Sequence, residues 1–336
     1  MKFTIFVTNA CNLKCSYCYE GSKKTNINMD IKTAELVINF IKEKIKNEDK
    51  KIPLYIVFHG GEPLCNFETI KYIEKQLKKE NMNRKIIFDI TTNGTLMNEE
   101  ITDFIENKIT NISISIDGTK DNHDKNRVFH NGKGTYDIVI ENSKKLLEKC
   151  KNIRVRMTIV PQNIEFISQG IEELIKLGFK EFVPYPDFMN KKWSISDLEL
   201  LKIEINKFMD LKKIYKDIDI SLINTIDINT MKGDCFGGVV SFAIDINGDI
   251  YPCTLSVGDK SLKMGNVKNN QIKDINKIMR MESIENKECY LCGRKEFCTT
   301  YRCKFMNKKV MGDINKEIPI MCGMERIYNY VNSLKK

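Results

Sequence analysis

Along residues 1–190, short apolar runs alternate with longer stretches in which apolar positions recur every three or four residues. The short runs are β-branched and often followed by Gly or Asn. They predict strands at Phe3–Val7, Leu54–His59, Ile86–Thr91, Ile112–Ile116, Val155–Val160 and Glu181–Tyr185. The longer stretches predict amphipathic helices. Ile31–Lys46 places Ala34, Val37, Ile38, Ile41 and Ile45 on one face, and Phe67–Lys79, Glu99–Glu106, Tyr136–Cys150 and Ile164–Leu177 follow the same rhythm. Strand–helix units repeated in this way predict an α/β fold with a parallel sheet and helices outside it, here a partial (β/α)6 barrel of the TIM type. In such folds functional residues gather beyond the C-terminal ends of the strands.

The rhythm then changes. Residues 195–213 predict a bridging helix, so the expected organisation is a barrel over 1–190, a helical bridge over 191–230 and a smaller domain over 231–336. Val239–Ile246 and Asp249–Tyr251 are strand-like runs joined through Asn247–Gly248, a strong hairpin signal. After Lys268 regular periodicity fades and cysteines dominate. This domain is expected to depend on metal rather than on a large apolar core.

A chain of 336 residues with 42% apolar content can bury a sizeable core. No apolar run approaches the roughly 20 residues of a membrane span. The N-terminus lacks the long apolar stretch and small-residue cleavage site of a signal peptide, so a cytoplasmic protein is expected, with no membrane partner. The net charge is +9, but the lysines alternate with acids, as in residues 41–51. That pattern reads as a solvated surface. No basic–aromatic patch stands out, and nucleic acid is not an expected partner. Twelve cysteines do change the picture, because they cluster tightly towards the two ends of the chain. Such spacing in a long chain without a signal peptide points to metal.

Cys11, Cys15 and Cys18 stand just after the first strand. Three thiolates can hold three irons of a 4Fe–4S cluster and leave the fourth open, and an open metal position marks catalysis. Zinc held by three thiolates and a water is the alternative, although C-x3-C-x2-C is an uncommon zinc spacing. With Tyr17 before the last Cys, the motif resembles the radical S-adenosylmethionine (SAM) superfamily. The resemblance implies a cluster whose open iron is chelated by SAM, reductive cleavage of SAM, and a 5′-deoxyadenosyl radical that abstracts hydrogen from substrate. Tyr17 would then lie at the cofactor.

Three later segments match the same family and sit where strands should end. In His59-Gly60-Gly61-Glu62-Pro63, Gly60 and Gly61 allow close backbone approach, and Glu62 suits the ammonium of SAM. In Thr91-Thr92-Asn93-Gly94, Thr92 or Asn93 supplies a polar contact. Ser115-Ile-Asp117-Gly118 follows the fourth strand; the resemblance implies that Ser115 and Arg127 contact SAM, with Arg127 on its carboxylate. Plain turns, a surface Arg and, for Asp117, a helix cap are the bland alternatives. No catalytic base or hydrogen donor is legible. His59 abuts the turn and could orient it, whereas His123 and His130 read as structural or exposed. Cys65 and Cys150 read as ordinary small buried residues.

The second cysteine set is Cys235, Cys253, Cys289, Cys292, Cys298, Cys303 and Cys322. Its order resembles a SPASM domain, which implies two auxiliary 4Fe–4S clusters. By that pattern Cys289, Cys292, Cys298 and Cys322 hold one, and Cys235, Cys253 and Cys303 hold the other. Seven cysteines cannot fill two four-cysteine sites, so the cluster at Cys235 is expected to keep an open iron for a substrate thiolate. Zinc knuckles that brace the fold are the alternative.

The resemblance implies an enzyme that modifies a peptide or protein side chain, with a thioether or other crosslink in a ribosomally made peptide as the leading expectation. Residues 113–137 also resemble sulfatase-maturing members, which convert Cys or Ser to formylglycine. Those members carry an Asp after the Cys matching Cys253 and an extra Cys upstream of Cys235. Here Thr254 and Met231-Lys-Gly-Asp234 stand in those places. An iron–sulfur electron carrier without catalysis is the alternative of another class, but it leaves the glycine-rich turns unexplained. The expected partners are a peptide or protein substrate, Cys-rich in one version, and a flavodoxin or ferredoxin reductant. The chain starts ten residues before Cys11, so a separate leader-recognition protein is also expected.

Overall fold

Every run predicted as a strand forms one in the computed structural model, which describes residues 1–20, 26–79, 83–150, 152–269, 272–275 and 287–334. The chain divides into two units. The first comprises Met1–Lys14, Glu20–Ser113 and Phe236–Met281; the second comprises Cys15–Tyr19, Ile114–Cys235 and Glu282–Lys336. Among the described residues no helix is long and apolar enough to cross a membrane.

In the first unit β1 (Lys2–Thr8), β2 (Leu54–Gly60) and β3 (Ile86–Thr92) run parallel, with Ile5 opposite Phe58 and Phe58 opposite Ile90. β1 is buried along almost its whole length, as a central parallel strand should be. β4 (Asn111–Ser115) follows β3 in the sheet order, and the chain passes into the second unit along it. α1 (Ile31–Ile45), α2 (Phe67–Lys79) and α3 (Glu99–Lys108) connect these strands. Asp30 and Asn98 cap α1 and α3 by accepting from Thr33 N and Ile101 N.

The predicted hairpin is present, with Gly248 at φ 83° in its turn. β8 (Ser241–Ile244) also pairs in parallel with β1, Phe242 lying beside Phe3. The Phe3 and Phe242 rings stack at 5.4 Å, and Phe40 of α1 meets both edge-on. β9 (Asp249–Tyr251) and β10 (Gly265–Asn266) extend the same sheet antiparallel.

In the second unit β5 (Ile153–Ile159), β6 (Glu181–Pro186) and β7 (Asp219–Ile220) continue parallel pairing after the end of β4. α4 (Lys120–Asn126), α5 (Tyr136–Lys149), α6 (Ile167–Lys176) and α7 (Ile195–Ile214) pack around them. Gly118 and Gly170 meet backbone to backbone: a Cβ on Gly170 would lie 2.3 Å from Gly118 Cα, so α6 needs a bare position there. Glu204 of α7 accepts from Ser168 N at the start of α6 at 2.8 Å.

Periodicity does not fade after Lys268 as expected. Lys304–Met311 and Pro319–Ser333 are helices, the latter burying Ile320, Met321, Met324, Ile327 and Val331 on one face. Its Gly323 packs against Leu198 of α7, whose Cδ1 lies 2.4 Å from where a Cβ would stand.

Candidate functional site

The first unit gathers its candidate residues in the loops after β1, β2 and β3. The backbone of Gly60–Glu62 runs along the segment that leads into Cys11: Gly61 N donates to Thr8 O at 3.1 Å and Glu62 N to Ala10 O at 2.8 Å. A Cβ on Gly60 would lie 2.3 Å from Thr8 O, and one on Gly61 would lie 2.4 Å from Ala10 O. Only glycine allows this approach. Glu62 is buried, and its carboxylate accepts from Thr92 Oγ1 at 2.7 Å, Asn93 N at 2.7 Å and Leu64 N at 3.2 Å. The Gly-Gly-Glu-Pro and Thr-Asn-Gly turns are thus one structure held by one carboxylate. Asn12, beside Cys11, joins it by accepting from Asn93 Nδ2 at 2.9 Å and donating to Thr95 Oγ1 at 2.7 Å. Leu13 N points at Cys11 Sγ at 3.4 Å. His59 packs its ring on Phe6, and its Nδ1 accepts from Gly60 N.

In the second unit the residues between Cys15 and Tyr19 are pinned to the segment after β4. Ser16 N donates to Asn126 O at 2.9 Å, and the Tyr17 hydroxyl donates to Asp117 Oδ2. Asp117 also receives Arg127 Nε at 3.0 Å and Thr158 N at 2.9 Å, and the Arg127 guanidinium lies over the Tyr17 ring. Asp117 therefore anchors a buried ion pair rather than capping a helix; Thr119 caps α4. Burial works against the Arg127 charge, yet Asp117, Tyr17 and Cys15 together hold it protonated above its usual range. Burial pushes the Tyr17 phenol well up, against the pull of Arg127. Arg127 is thus not a surface residue, and part of its donor fork is committed to Asp117. Ser115 stands half-buried at the end of β4.

His123 is fully buried beneath this pair. Asp117 N donates to its Nδ1 at 3.3 Å, so the proton sits on Nε2, 2.9 Å from Thr135 Oγ1. Thr135 in turn donates to Arg127 O. Burial pushes the imidazole down to about 4, so it is neutral near neutral pH. Sequence reasoning missed this layer. Its only signal was an unbroken polar stretch after the fourth strand. His130 is exposed, and Cys65 and Cys150 are half-buried rather than buried.

In the second unit Cys289, Cys292, Cys298 and Cys322 are close enough to influence one another. Burial, the Glu317 carboxylate, and then Cys322 and Cys298 push the Cys289 thiol up to about 12. The Cys289 thiol donates to Glu317 Oε1 at 3.2 Å. One face of Cys322 is open to solvent, but partial burial, then Cys298, Glu317 and Cys292 push its thiol up to about 11. Cys303 ends a short helical turn in this unit, and Cys235 stands in the stretch before its boundary. In the first unit Cys253 opens the turn Thr254–Ser256, with Ser256 Oγ bonded to its carbonyl at 2.7 Å. Among the described residues no three Cys, His, Asp or Glu side chains converge to metal-ligand geometry. The thiol sets rest on order, neighbourhood and ligand softness.

Residues 5–180 match the family model of the radical SAM superfamily, and residues 235–295 match that of an iron–sulfur cluster-binding domain, SPASM. The chain belongs to the radical SAM superfamily and is a radical SAM/SPASM enzyme whose cofactors are SAM and 4Fe–4S clusters. It is 32% identical to an uncharacterized protein of Methanocaldococcus jannaschii over 84% of this chain and 92% of that one. It is 28% identical to a cysteine-type anaerobic sulfatase-maturating enzyme of Clostridium novyi, over 74% of this chain and 72% of that one. Among solved structures, anSMEcpe with bound AdoMet superposes with a TM-score of 0.82 at 20% identity, covering 99% of this chain and 93% of that one. Streptococcus suis SuiB bound to precursor peptide SuiA gives 0.67 at 18% identity, covering 96% and 75%. At these identities the structural likeness concerns the fold.

Proposed function

We propose that this enzyme modifies a side chain of a peptide or protein substrate by radical chemistry, and that the product is a thioether or other crosslink. The observation that carries the reading is the joined turn at β2 and β3, in which Glu62 binds Thr92 and Asn93 beside the segment entering Cys11. Relatives named as sulfatase-maturating enzymes, and a neighbour bound to a precursor peptide, support the substrate class.

The residues suit the cofactors. Soft thiols form the donor sets. Arg302 Nε, next to Cys303, is a buried donor with no partner among the described residues, as suits a nearby group outside the polypeptide. In this reading Cys11, Cys15 and Cys18 hold the catalytic cluster. Together the cluster and SAM supply reductive cleavage of SAM and a hydrogen-abstracting radical. Gly60 and Gly61 seat the turn against the segment entering Cys11, and with Glu62, Thr92 and Asn93 they contact the cofactor's polar end. In the second unit Ser115 and the remaining donors of Arg127 contact it, and Asp117 holds Arg127 and Tyr17 in place. Cys289, Cys292, Cys298 and Cys322 hold one auxiliary cluster. Cys235, Cys253 and Cys303 hold the other, with an iron left for a substrate thiolate. A flavodoxin or ferredoxin supplies electrons.

Crosslinking is preferred to formylglycine formation on a specific observation: Thr254 follows Cys253 and opens its turn without a carboxylate to act as base. The competing reading, anaerobic sulfatase maturation, is favoured by the Clostridium relatives that carry that name over most of their length. Reduced, anaerobic enzyme incubated with SAM and a Cys-containing peptide from a neighbouring reading frame separates the readings. Crosslinking gives 5′-deoxyadenosine and a peptide that has lost two hydrogens and carries no hydrazide-reactive aldehyde. An aldehyde establishes the competing reading, and SAM left uncleaved by the reduced, cluster-loaded enzyme overturns both.

A further inference from the structure

Arg294 stands between Cys292 and Cys298, and its guanidinium is buried. Three of its nitrogens reach two other segments of the second unit, residues 228–229 and the helix of Glu325. Nε donates to Glu325 Oε2 at 3.0 Å on the helix Pro319–Ser333. Nη1 donates to Asn229 Oδ1 at 2.9 Å, and Nη2 to Ile228 O at 2.7 Å. The group lies 4.6 Å from the centre of the Phe297 ring in its own loop. Glu325 comes three residues after Cys322 on the same helix, close to one turn away. One planar group therefore sets the spacing between the loop of Cys292 and Cys298 and the helix of Cys322. Lys232 fastens the same loop again: its backbone N donates to Glu296 O at 2.8 Å and its Nζ to Phe297 O at 2.7 Å.

A buried ion pair is a poor means of stabilisation, since a well-packed apolar pair of similar volume is often as stable or more so. What a guanidinium supplies that an apolar residue cannot is a rigid fork of directed donors. Loop residues 292–298 form a succession of short turns, with Lys295 N on Cys292 O, Phe297 N on Arg294 O and Cys298 N on Lys295 O.

We propose that Arg294, with Glu325 as its counter-ion, is a positioning residue for an auxiliary iron–sulfur cluster, holding the loop of Cys292 and Cys298 in register with Cys322. This rests on the reading that Cys289, Cys292, Cys298 and Cys322 bind one cluster. The thiols alone do not dictate their own spacing, and the fork does so before iron arrives.

The test uses the full chain, reconstituted anaerobically, with iron per chain and the midpoint potentials of the clusters as readouts. The variants are Arg294→Lys, the apolar double variant Arg294→Met/Glu325→Met, and Cys322→Ala as control. The expected result is that the iron-free double variant melts close to the unsubstituted iron-free chain. It nevertheless loses up to about four irons per chain, or retains them at a shifted potential. Arg294→Lys keeps the charge but not the fork and shows a smaller loss or shift of the same kind; it carries the test alone if the double variant does not fold. Full iron and unshifted potentials in both variants, with iron lost or a potential shifted in Cys322→Ala, overturn the positioning role and leave the cluster assignment standing. Unchanged iron together with unchanged potentials in Cys322→Ala overturns the cluster assignment, and the proposal with it.

Discussion

Asp117 carries more contacts than the position of a turn residue suggests. Its carboxylate takes the Tyr17 hydroxyl, the Arg127 guanidinium and Thr158 N at once. Asp117→Asn leaves Arg127 buried beside a neutral partner, and such a loss costs about 3–5 kcal/mol. Urea unfolding of the anaerobic, reconstituted protein should show a loss of that size. His123 gives a second prediction at this scale. Its imidazole ordinarily titrates at 6.5, and in the folded chain it is pushed down to about 4. As pH falls from 6.5, the unfolded chain takes up a proton that the folded one refuses until pH is about 4. Stability is therefore lost through that window, by about 3 kcal/mol for this group. Unfolding curves taken across it should steepen for the unsubstituted protein and flatten for His123→Gln. Neither role was legible in the residues alone. An aspartate after a strand looks like a cap, and a histidine in a polar stretch reads equally as structural or exposed. Only the folding of the Ser-Ile-Asp-Gly loop onto β5 buries them together.

Among the elements, the strands were legible and the short helices were not. β1 reads as an apolar run, while β2, β5 and β6 alternate buried with more exposed positions, and β1 to β6 lie where these patterns place them. α4 has no apolar face to announce it; it forms because Thr119 caps it and His123 and Asn122 point inward. The helix Pro319–Ser333 was lost among cysteines, although its apolar spacing is regular. The turn after β2 was legible in its glycines, and it supports a third prediction. Gly61→Ala drives a Cβ to 2.4 Å from a backbone oxygen of Ala10, which has no flexible end to yield. The segment entering Cys11 must shift. The variant should reconstitute with fewer irons per chain and bind SAM more weakly, as iron analysis and equilibrium dialysis would show.

At the scale of the whole molecule, residues 287–318 are built from short helices and turns, and several of their cysteines belong to the proposed auxiliary sites. Metal that binds the folded form stabilises it. Anaerobic chelation of iron should open this stretch to limited proteolysis while far-ultraviolet circular dichroism of the strand–helix units changes little. What sequence could not reveal here was long-range pairing. The hairpin at Asn247–Gly248 is local and was legible, but its attachment to β1 is not, because no local pattern names a partner so far along the chain. That attachment sets an order of events during synthesis. β1 lies between β2 and β8, with Lys2 paired to both Tyr55 and Ser241. While a ribosome is still making the middle of this chain, β1 has one flank with hydrogen-bonding groups unmet and Phe3 without its stacking partner. A nascent chain halted before residue 241 should therefore recruit chaperones or aggregate, and release of the C-terminal third should end that exposure.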